Sequence, residues 1–209
     1  VTSVNNKGEG GSSLSDKLLF GDSMNIPWID YFDNSERIHT LWTIINNNGD
    51  NFSWIYTKYN GLTSGSMQCT SSSTHENDKI ILTKNDDWLI SPAINLTAGK
   101  EYRLRFYLSL ETETNKGLQV TIGKASIIEA QSTILNEFSE NTERFSLQDI
   151  IFTVEESGEY YIGWHSIAEG MESTTVAIAD ISLDETLNKD LAALGLEINE
   201  EMNLDTQYE

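Results

Sequence analysis

An all-β fold, an antiparallel β-sandwich of jelly-roll type, is what these 209 residues predict. The first ground is a period of two. From Glu101 to Glu111, Tyr102, Leu104, Phe106, Leu108 and Leu110 alternate with Arg103, Arg105, Tyr107 and Ser109, the pattern of a strand that buries one face. The second is that helical periodicity is nearly absent between Ile26 and Glu185, with "SIIEAQSTILNEFSE" the one ambiguous piece. The third is spacing: short apolar runs broken by turn residues correspond to about eight to ten strands in such a fold. No fixed-period repeat appears, which argues against a propeller or a solenoid.

The elements follow in order. Residues 1–25, rich in Gly, Ser and Asn with little to bury, read as a flexible leader or linker, and folding begins near Ile26. Strands are expected at "WTIIN", "FSWIYT" and "KIILT". Pro92 cannot donate to a central ladder, so "WLISP" is a short strand that ends or crosses an edge there. "INLTAGKEY" then rounds a Gly99 turn into the long strand, so the Trp stands just ahead of a switch between sheets. Leu118, Val120 and Ile122 repeat the alternation, with "ETETNKG" as the polar link of a long hairpin back from Glu111. "FSLQDIIFTV", "EYYIGWHS" and "TTVAIADISL" supply further strands, and the apolar phase of the first slips between Leu147 and Ile150, which predicts a bulge near Asp149. The core domain therefore spans residues 26–185. Residues 186–209 turn strongly acidic around the apolar patch "LAALGLEI" and read as an acidic tail or the start of a further module.

Composition narrows the partners. Thirteen Lys and Arg against 33 Asp and Glu leave a net charge of −20, which repels nucleic-acid phosphates and anionic membrane surfaces but attracts cations. Surplus carboxylates are also the hard oxygen ligands that calcium prefers. No run of about 18 apolar residues is present for membrane insertion. Cys69 is the only cysteine, so the chain forms no internal disulfide and no zinc thiolate cluster, and within "SMQCTSS" it reads as a small apolar strand residue. The sequence starts at Val1 without the charged-then-apolar layout of a signal peptide, and reads as a mature chain with any leader removed.

The chemistry-bearing residues form no catalytic motif. His39, His75 and His165 lie in separate segments without metal-ligand spacing, and no GxSxG elbow, HExxH helix or phosphate-cradling Gly loop is present. Adjacent carboxylates such as Asp86 with Asp87 carry little weight, because an acid and base must face each other across a cleft. Five Trp and eight Tyr allow a carbohydrate platform of exposed rings. Trp54 and Tyr56, on one strand face beside the Asn-rich loop, are the best-placed ligand-binding candidates. "NFS" at Asn51 and "NLT" at Asn95 match the N-glycosylation acceptor.

Beside this reading, "NDDWLISPAINLTAGKEYRLRFYLS" resembles the hallmark of cleaved-adhesin and choice-of-anchor J domains, MAM-like jelly rolls of surface proteins in Bacteroidetes-type bacteria. "IPWIDYFDN", "LWTIINNNGDNFSW", "GSMQCTSSS" and "VAIADISLDE" resemble further segments of that family in the same order, so the resemblance covers about Ile26 to Glu185. The loop is here mostly Asn, and the closing pair of Asp is here Ala179 and Asp180. "DSM" at Asp22 resembles the O-glycosylation tripeptide of Bacteroidetes secreted proteins. The resemblance implies adhesion or ligand binding at a secreted or cell-surface location, with further domains in a longer precursor.

It also implies structural calcium near the junction of the first and last strands. There Asp33 leaves the first strand, Asp180 shares a strand face with Val176 and Ile178, no Lys or Arg lies nearby in sequence, and the Gly65–Ser66 turn can offer carbonyls. The loop of Asn46, Asn48 and Asp50 is a second calcium candidate, with neutral amides that hold an ion less strongly. The reading is thus a non-catalytic, calcium-stabilised adhesin-like module that binds carbohydrate or a protein partner. Two alternatives stay open: a hydrolytic or lyase enzyme on the same scaffold, which needs convergent titratable groups in a concave site, and a structural spacer or subunit of a surface array.

Overall fold

The structure, a computed structural model, describes residues 4–5, 8–9, 23–58, 64–76, 79–82, 85–111, 117–142, 144–167 and 173–186. Most of the expected leader, Asp22, and the expected tail beyond residue 186 lie outside these residues.

β1 (Val4–Asn5) and β2 (Gly8–Glu9) pair with each other. The other strands form two antiparallel sheets. Seven strands make the first: β3 (Trp28–Asp30), β5 (Ile55–Thr57), β6 (Ser66–Glu76), β7 (Lys79–Leu82), β10 (Glu101–Glu111), β13 (Ser146–Thr153) and β15 (Ser173–Glu185). Six make the second: β4 (Thr43–Asn46), β8 (Asp87–Ile90), β9 (Ile94–Leu96), β11 (Leu118–Gly123), β12 (Thr133–Phe138) and β14 (Gly158–Ser166). Their orders are β13-β10-β15-β6-β5, with β3 on β15 and β7 on β6, and β12-β11-β14-β8-β4, with β9 on β14. This is the antiparallel jelly-roll sandwich that the period of two predicts. Its strand number exceeds the expectation because β3, β5 and β9 are only three residues long.

The core lies between the sheets. Alternation along β10 buries Tyr102, Leu104, Phe106, Leu108 and Leu110 with Val120, Ile162, Trp164 and Ile178. Trp164 meets Phe106 edge-on at 5.9 Å and leans on Trp42 at 5.6 Å, and Trp42 in turn contacts Phe32 and Trp28. Burial of so much aromatic and aliphatic surface is the main stabilising term.

Four local expectations are corrected. β10 and β11 are not a hairpin: β10 pairs with β13 and β15, β11 with β12 and β14, so the link crosses from one sheet to the other. Two amphipathic strands can bury their apolar faces side by side or against each other, and alternation alone does not choose. No bulge occurs at Asp149, because β13 keeps continuous register from Thr153↔Glu101 to Ser146↔Leu108, and Leu147 simply faces solvent. A bulge lies instead on β15, where the pairing steps from Arg105↔Ser182 to Tyr107↔Ala179 and Asp180 takes a left-handed φ of 47°.

At Pro92 the chain stays in its sheet, since β8 and β9 both pair with β14. Ser91 bridges the gap: its N–H donates to the Ile162 carbonyl at 2.8 Å and its hydroxyl accepts from the Ile162 N–H at 2.9 Å. The switch comes later, at Gly99 with φ 74°. Finally, a helix absent from the sequence reading, α1 (Ser35–Leu41), follows β3. Asn34 caps it by accepting from the Glu36 and Arg37 N–H groups, and Ile38 is its buried anchor.

Candidate functional site

Sheet register draws a row of side chains across the outer face of the six-stranded sheet. Glu137 on β12 stands opposite Gln119 on β11, Gln119 opposite His165 on β14, and His165 opposite Trp88 on β8. Their chain neighbours Phe138, Leu118, Trp164 and Leu89 turn toward the core, so these four turn away from it. The His165 ring stacks on Trp88 with centroids 3.9 Å apart. Its Nε2 donates to Asp86 Oδ1 at 2.7 Å, and the Asn47 amide donates to the other Asp86 oxygen at 2.6 Å.

The electrostatics follow from these partners. Burial pushes the Asp86 carboxyl up, but hydrogen bonds from Asn47 and His165 outweigh it and hold the group below its ordinary value. Burial lowers His165 against the pull of Asp86. Gln119 commits its amide nitrogen to Glu137, so its Oε1, 3.2 Å from His165 Nδ1, makes a hydrogen bond only when Nδ1 carries a proton. Protonation of His165 therefore completes a chain from Asp86 to Glu137, and burial opposes that protonation.

At the Glu137 end the sandwich edge opens into a groove of about 350 Å³. Leu108 and Phe138 supply its apolar lining, and Glu137, Glu140, Asn141 and Gln148 its polar lining. The polar groups are held in place. The Gln148 amide nitrogen bonds the Ser146 hydroxyl at 2.8 Å, while Thr142 and Leu110 exchange two bonds of 2.8 Å each, hydroxyl from N–H and N–H to carbonyl. Such a groove can take a small polar ligand with an apolar face.

The residues singled out in the sequence lie elsewhere. Trp54 and Tyr56 do share a face, but it is the inner one, which corrects their expected exposure. Trp54 is 2% exposed and donates from Nε1 to the Asp87 carbonyl at 3.1 Å, and Tyr56, opposite Met67, packs half-buried on the core. Ile55 is the residue that faces out. A three-residue strand carries too few positions for its sequence to tell the two faces apart.

Of the calcium candidates, the fold brings Asp180 and Gly65 toward the same place but leaves Asp33 exposed. β15 pairs Ile181 with Asp30, Gly65 donates to the Tyr31 carbonyl at 3.1 Å, and a Cβ on Gly65 would fall 2.5 Å from the Phe32 carbonyl oxygen. Phe32, like Asp180, has a left-handed φ, of 49°. Asp180 Oδ1 and Ser66 Oγ are buried with no hydrogen-bond partner among the described residues. Unpaired hard oxygens beside carbonyls are a donor set that suits calcium. In the other loop, by contrast, the groups bond one another: Asn46 accepts from the Gly49 N–H and donates to the Asp50 and Phe52 carbonyls, and Asp50 accepts from Phe52 N–H and Asn48. No cluster of three or more His, Cys, Asp or Glu is found among the described residues.

The row and the groove were not foreseen. Gln119, Glu137 and His165 come from three strands and meet through register alone, so no spacing in sequence announces them.

The profile described as Cleaved Adhesin Domain matches residues 27–158, more than half of the chain. The chain belongs to that family. The K1 cleaved adhesin domain of Lys-gingipain from Porphyromonas gingivalis W83 superposes on this cleaved-adhesin chain with a TM-score of 0.55 at 12% identity, covering 75% of it and 96% of the K1 chain. For the K2 cleaved adhesin domain of Lys-gingipain the TM-score is 0.53 at 13% identity, covering 75% and 98%. The CBM22-1 xylan-binding domain from Paenibacillus barcinonensis Xyn10C gives 0.47 at 8% identity, covering 79% and 97%. At such identities the likeness is one of fold. No curated protein matches this cleaved-adhesin chain in sequence.

Proposed function

We propose that this cleaved-adhesin chain is a non-catalytic, extracellular binding module that takes carbohydrate in the groove between β12 and the β10–β13 pair. The observation that carries the reading is the groove itself, where the half-buried Phe138 ring offers an apolar surface while Glu137, Glu140, Asn141 and Gln148 offer the amides and carboxylates that bond sugar hydroxyls. Acidic groups there, on a chain of net charge −20, favour neutral over anionic sugars. Family membership supports a binding role rather than catalysis. So does the chemistry: His165 Nε2 is committed to Asp86, and the Cys69 thiol is buried, with desolvation pushing its pKa far up.

Titration calorimetry against neutral oligosaccharides that score on a glycan array tests the reading. Gln148→Ala and Glu140→Ala are expected to weaken binding by about tenfold or more, the loss of one or two desolvated hydrogen bonds, without a change in melting temperature. No binding to any neutral glycan, or equal binding by both variants, overturns it.

The outer face of the seven-stranded sheet favours a second reading, a protein partner. Tyr107 stands directly opposite Leu147, both are exposed, and Ile151 is exposed nearby beside the ion pairs Arg103–Asp149 and Arg105–Asp184. An exposed aromatic and aliphatic patch with fixed charges suits protein docking. Leu147→Asp discriminates: it abolishes capture of a protein partner and leaves glycan binding intact.

Structural calcium belongs to the same proposal. Asp180 Oδ1 with carbonyls near Gly65 and Phe32 would hold it, and it would neutralise a carboxylate buried at the β15 bulge. Calcium then raises the melting temperature by binding the folded state, and Asp180→Ala removes the rise.

A further inference from the structure

The row on the six-stranded sheet and the groove at its edge share one residue. Glu137 accepts from the Gln119 amide nitrogen on the sheet face and also lines the groove, so a single carboxylate serves both. At the other end of the row is a ring with little room to move. His165 lies on the Trp88 indole at 3.9 Å, its Nε2 is held by Asp86 at 2.7 Å, and its side chain is only 13% exposed. Glu137, by contrast, is an exposed side chain on β12, at the edge of the sheet. Gln119 stands in register between the fixed partner and the movable one.

A glutamine amide has one donor end and one acceptor end, so it cannot turn the donor end to both neighbours at once. With His165 protonated, Nδ1–H donates to Gln119 Oε1 and the Gln119 nitrogen donates to Glu137, and every group is paired. With His165 neutral and its one proton on Nε2, Nδ1 is an acceptor 3.2 Å from another acceptor. Turning the Gln119 amide over removes that clash by donating to Nδ1, but it then presents Oε1 to a carboxylate. The stacked ring stays in place and the exposed carboxylate swings away, because water pairs the carboxylate at the surface and cannot easily pair the half-buried Nδ1. Loss of the His165 proton thus releases Glu137 from the sheet. Among the described residues, the charged group that acts directly on the ring is Asp86, in the segment before β8. On the same face β11 presents Gln119, β8 presents Trp88 and β14 itself presents Gly163, none of which titrates, and Glu137 lies one strand further on.

We infer that Gln119 relays the protonation of His165 to Glu137, so that the groove has this carboxylate for a sugar hydroxyl at neutral pH and loses it to the sheet in acid. The gating of a sugar rests on the groove reading proposed above, whereas the relay does not. Carbon-13 NMR of the free protein tests the relay with no sugar present. The Glu137 carboxyl carbon of the wild type is expected to show an inflection at the midpoint of the His165 imidazole, and His165→Gln to lack it. In Gln119→Ala the imidazole still titrates and the inflection at Glu137 is gone. A wild-type Glu137 carbon that ignores His165, or an inflection that survives in Gln119→Ala, overturns the inference. Calorimetric titration at about pH 7.5 and about pH 5 then uses the neutral oligosaccharide that scores highest on the glycan array. Wild-type affinity is expected to be about threefold to tenfold weaker in acid, the worth of one hydrogen bond, and Gln119→Ala to lack that fall. By linkage the bound oligosaccharide lowers the imidazole midpoint by the matching factor. An equal fall in both chains overturns the gating. If no glycan on the array binds at either pH, the groove reading fails, and the Glu137 carbon still decides the relay.

Discussion

Trp42 donates its indole N–H to Asp30 Oδ2 at 3.1 Å, across a turn of chain that also contains a capped helix. The other Asp30 oxygen accepts from the Phe32 N–H at 2.9 Å and pairs with Arg37 of α1. One buried carboxylate thus joins β3, the helix and the aromatic core. Asp30→Ala leaves the indole and the Phe32 N–H unsatisfied, and the expected loss of stability is about 2–4 kcal/mol by denaturant unfolding. Arg37→Ala costs much less, because that guanidinium is 41% exposed and water screens it.

Ser91 does what Pro92 cannot. Without its hydroxyl the Ile162 N–H is buried and unpaired, so Ser91→Ala is expected to lower stability by about 1–3 kcal/mol, while Ser91→Thr keeps the acceptor and most of the stability. Amide hydrogen exchange at Ile162 reports the same change locally, faster in the Ala variant alone.

His165 makes stability fall on the acid side of neutrality. Its pKa in the folded chain lies below the free value of 6.5, so its contribution is complete above 6.5 and is lost as the pH falls from there through the depressed value. His165→Gln is expected to flatten the melting-temperature profile between about pH 7 and 5 relative to the wild type. An imidazole NMR titration of the wild type checks the cause, with a midpoint below 6.5 expected.

Gly123 has no room for a methyl group. A Cβ there would lie 2.0 Å from the Ala130 carbonyl oxygen, in the 3-10 turn (Ile128–Ala130) that lies against β11. Gly123→Ala is expected to cost about 1–3 kcal/mol and to raise hydrogen exchange at Gln131, whose N–H closes that turn on Ile128.

The sandwich was legible because alternation is a property of each strand alone: Tyr102 to Leu110 announces a half-buried strand wherever that strand sits. What alternation does not hold is partnership. Leu118 to Ile122 reads the same whether β11 pairs with β10 or faces it, and the assumed hairpin failed there. The same gap hid the row from Glu137 to Trp88, whose members come from separate strands. The bulge was expected on β13, from the step between Leu147 and Ile150, and lies on β15 at Asp180, where the buried set passes from Val176 and Ile178 to Ile181 and Leu183. α1 was missed because seven residues with one buried side chain show no period, although Asn34 followed by Glu36 is a legible cap.

β15 lies in the interior of its sheet, between β10 and β6, with β3 along part of one edge. During synthesis, therefore, the strands up to β14 must wait. β10 emerges long before its central partner and can pair only with β13, and β6 holds an open edge until residues 173–185 leave the ribosome. Pairings between segments so far apart in the chain form slowly. Over that interval the edges of β10 and β6 stay unpaired, and the last strand of the sandwich is the one that covers both.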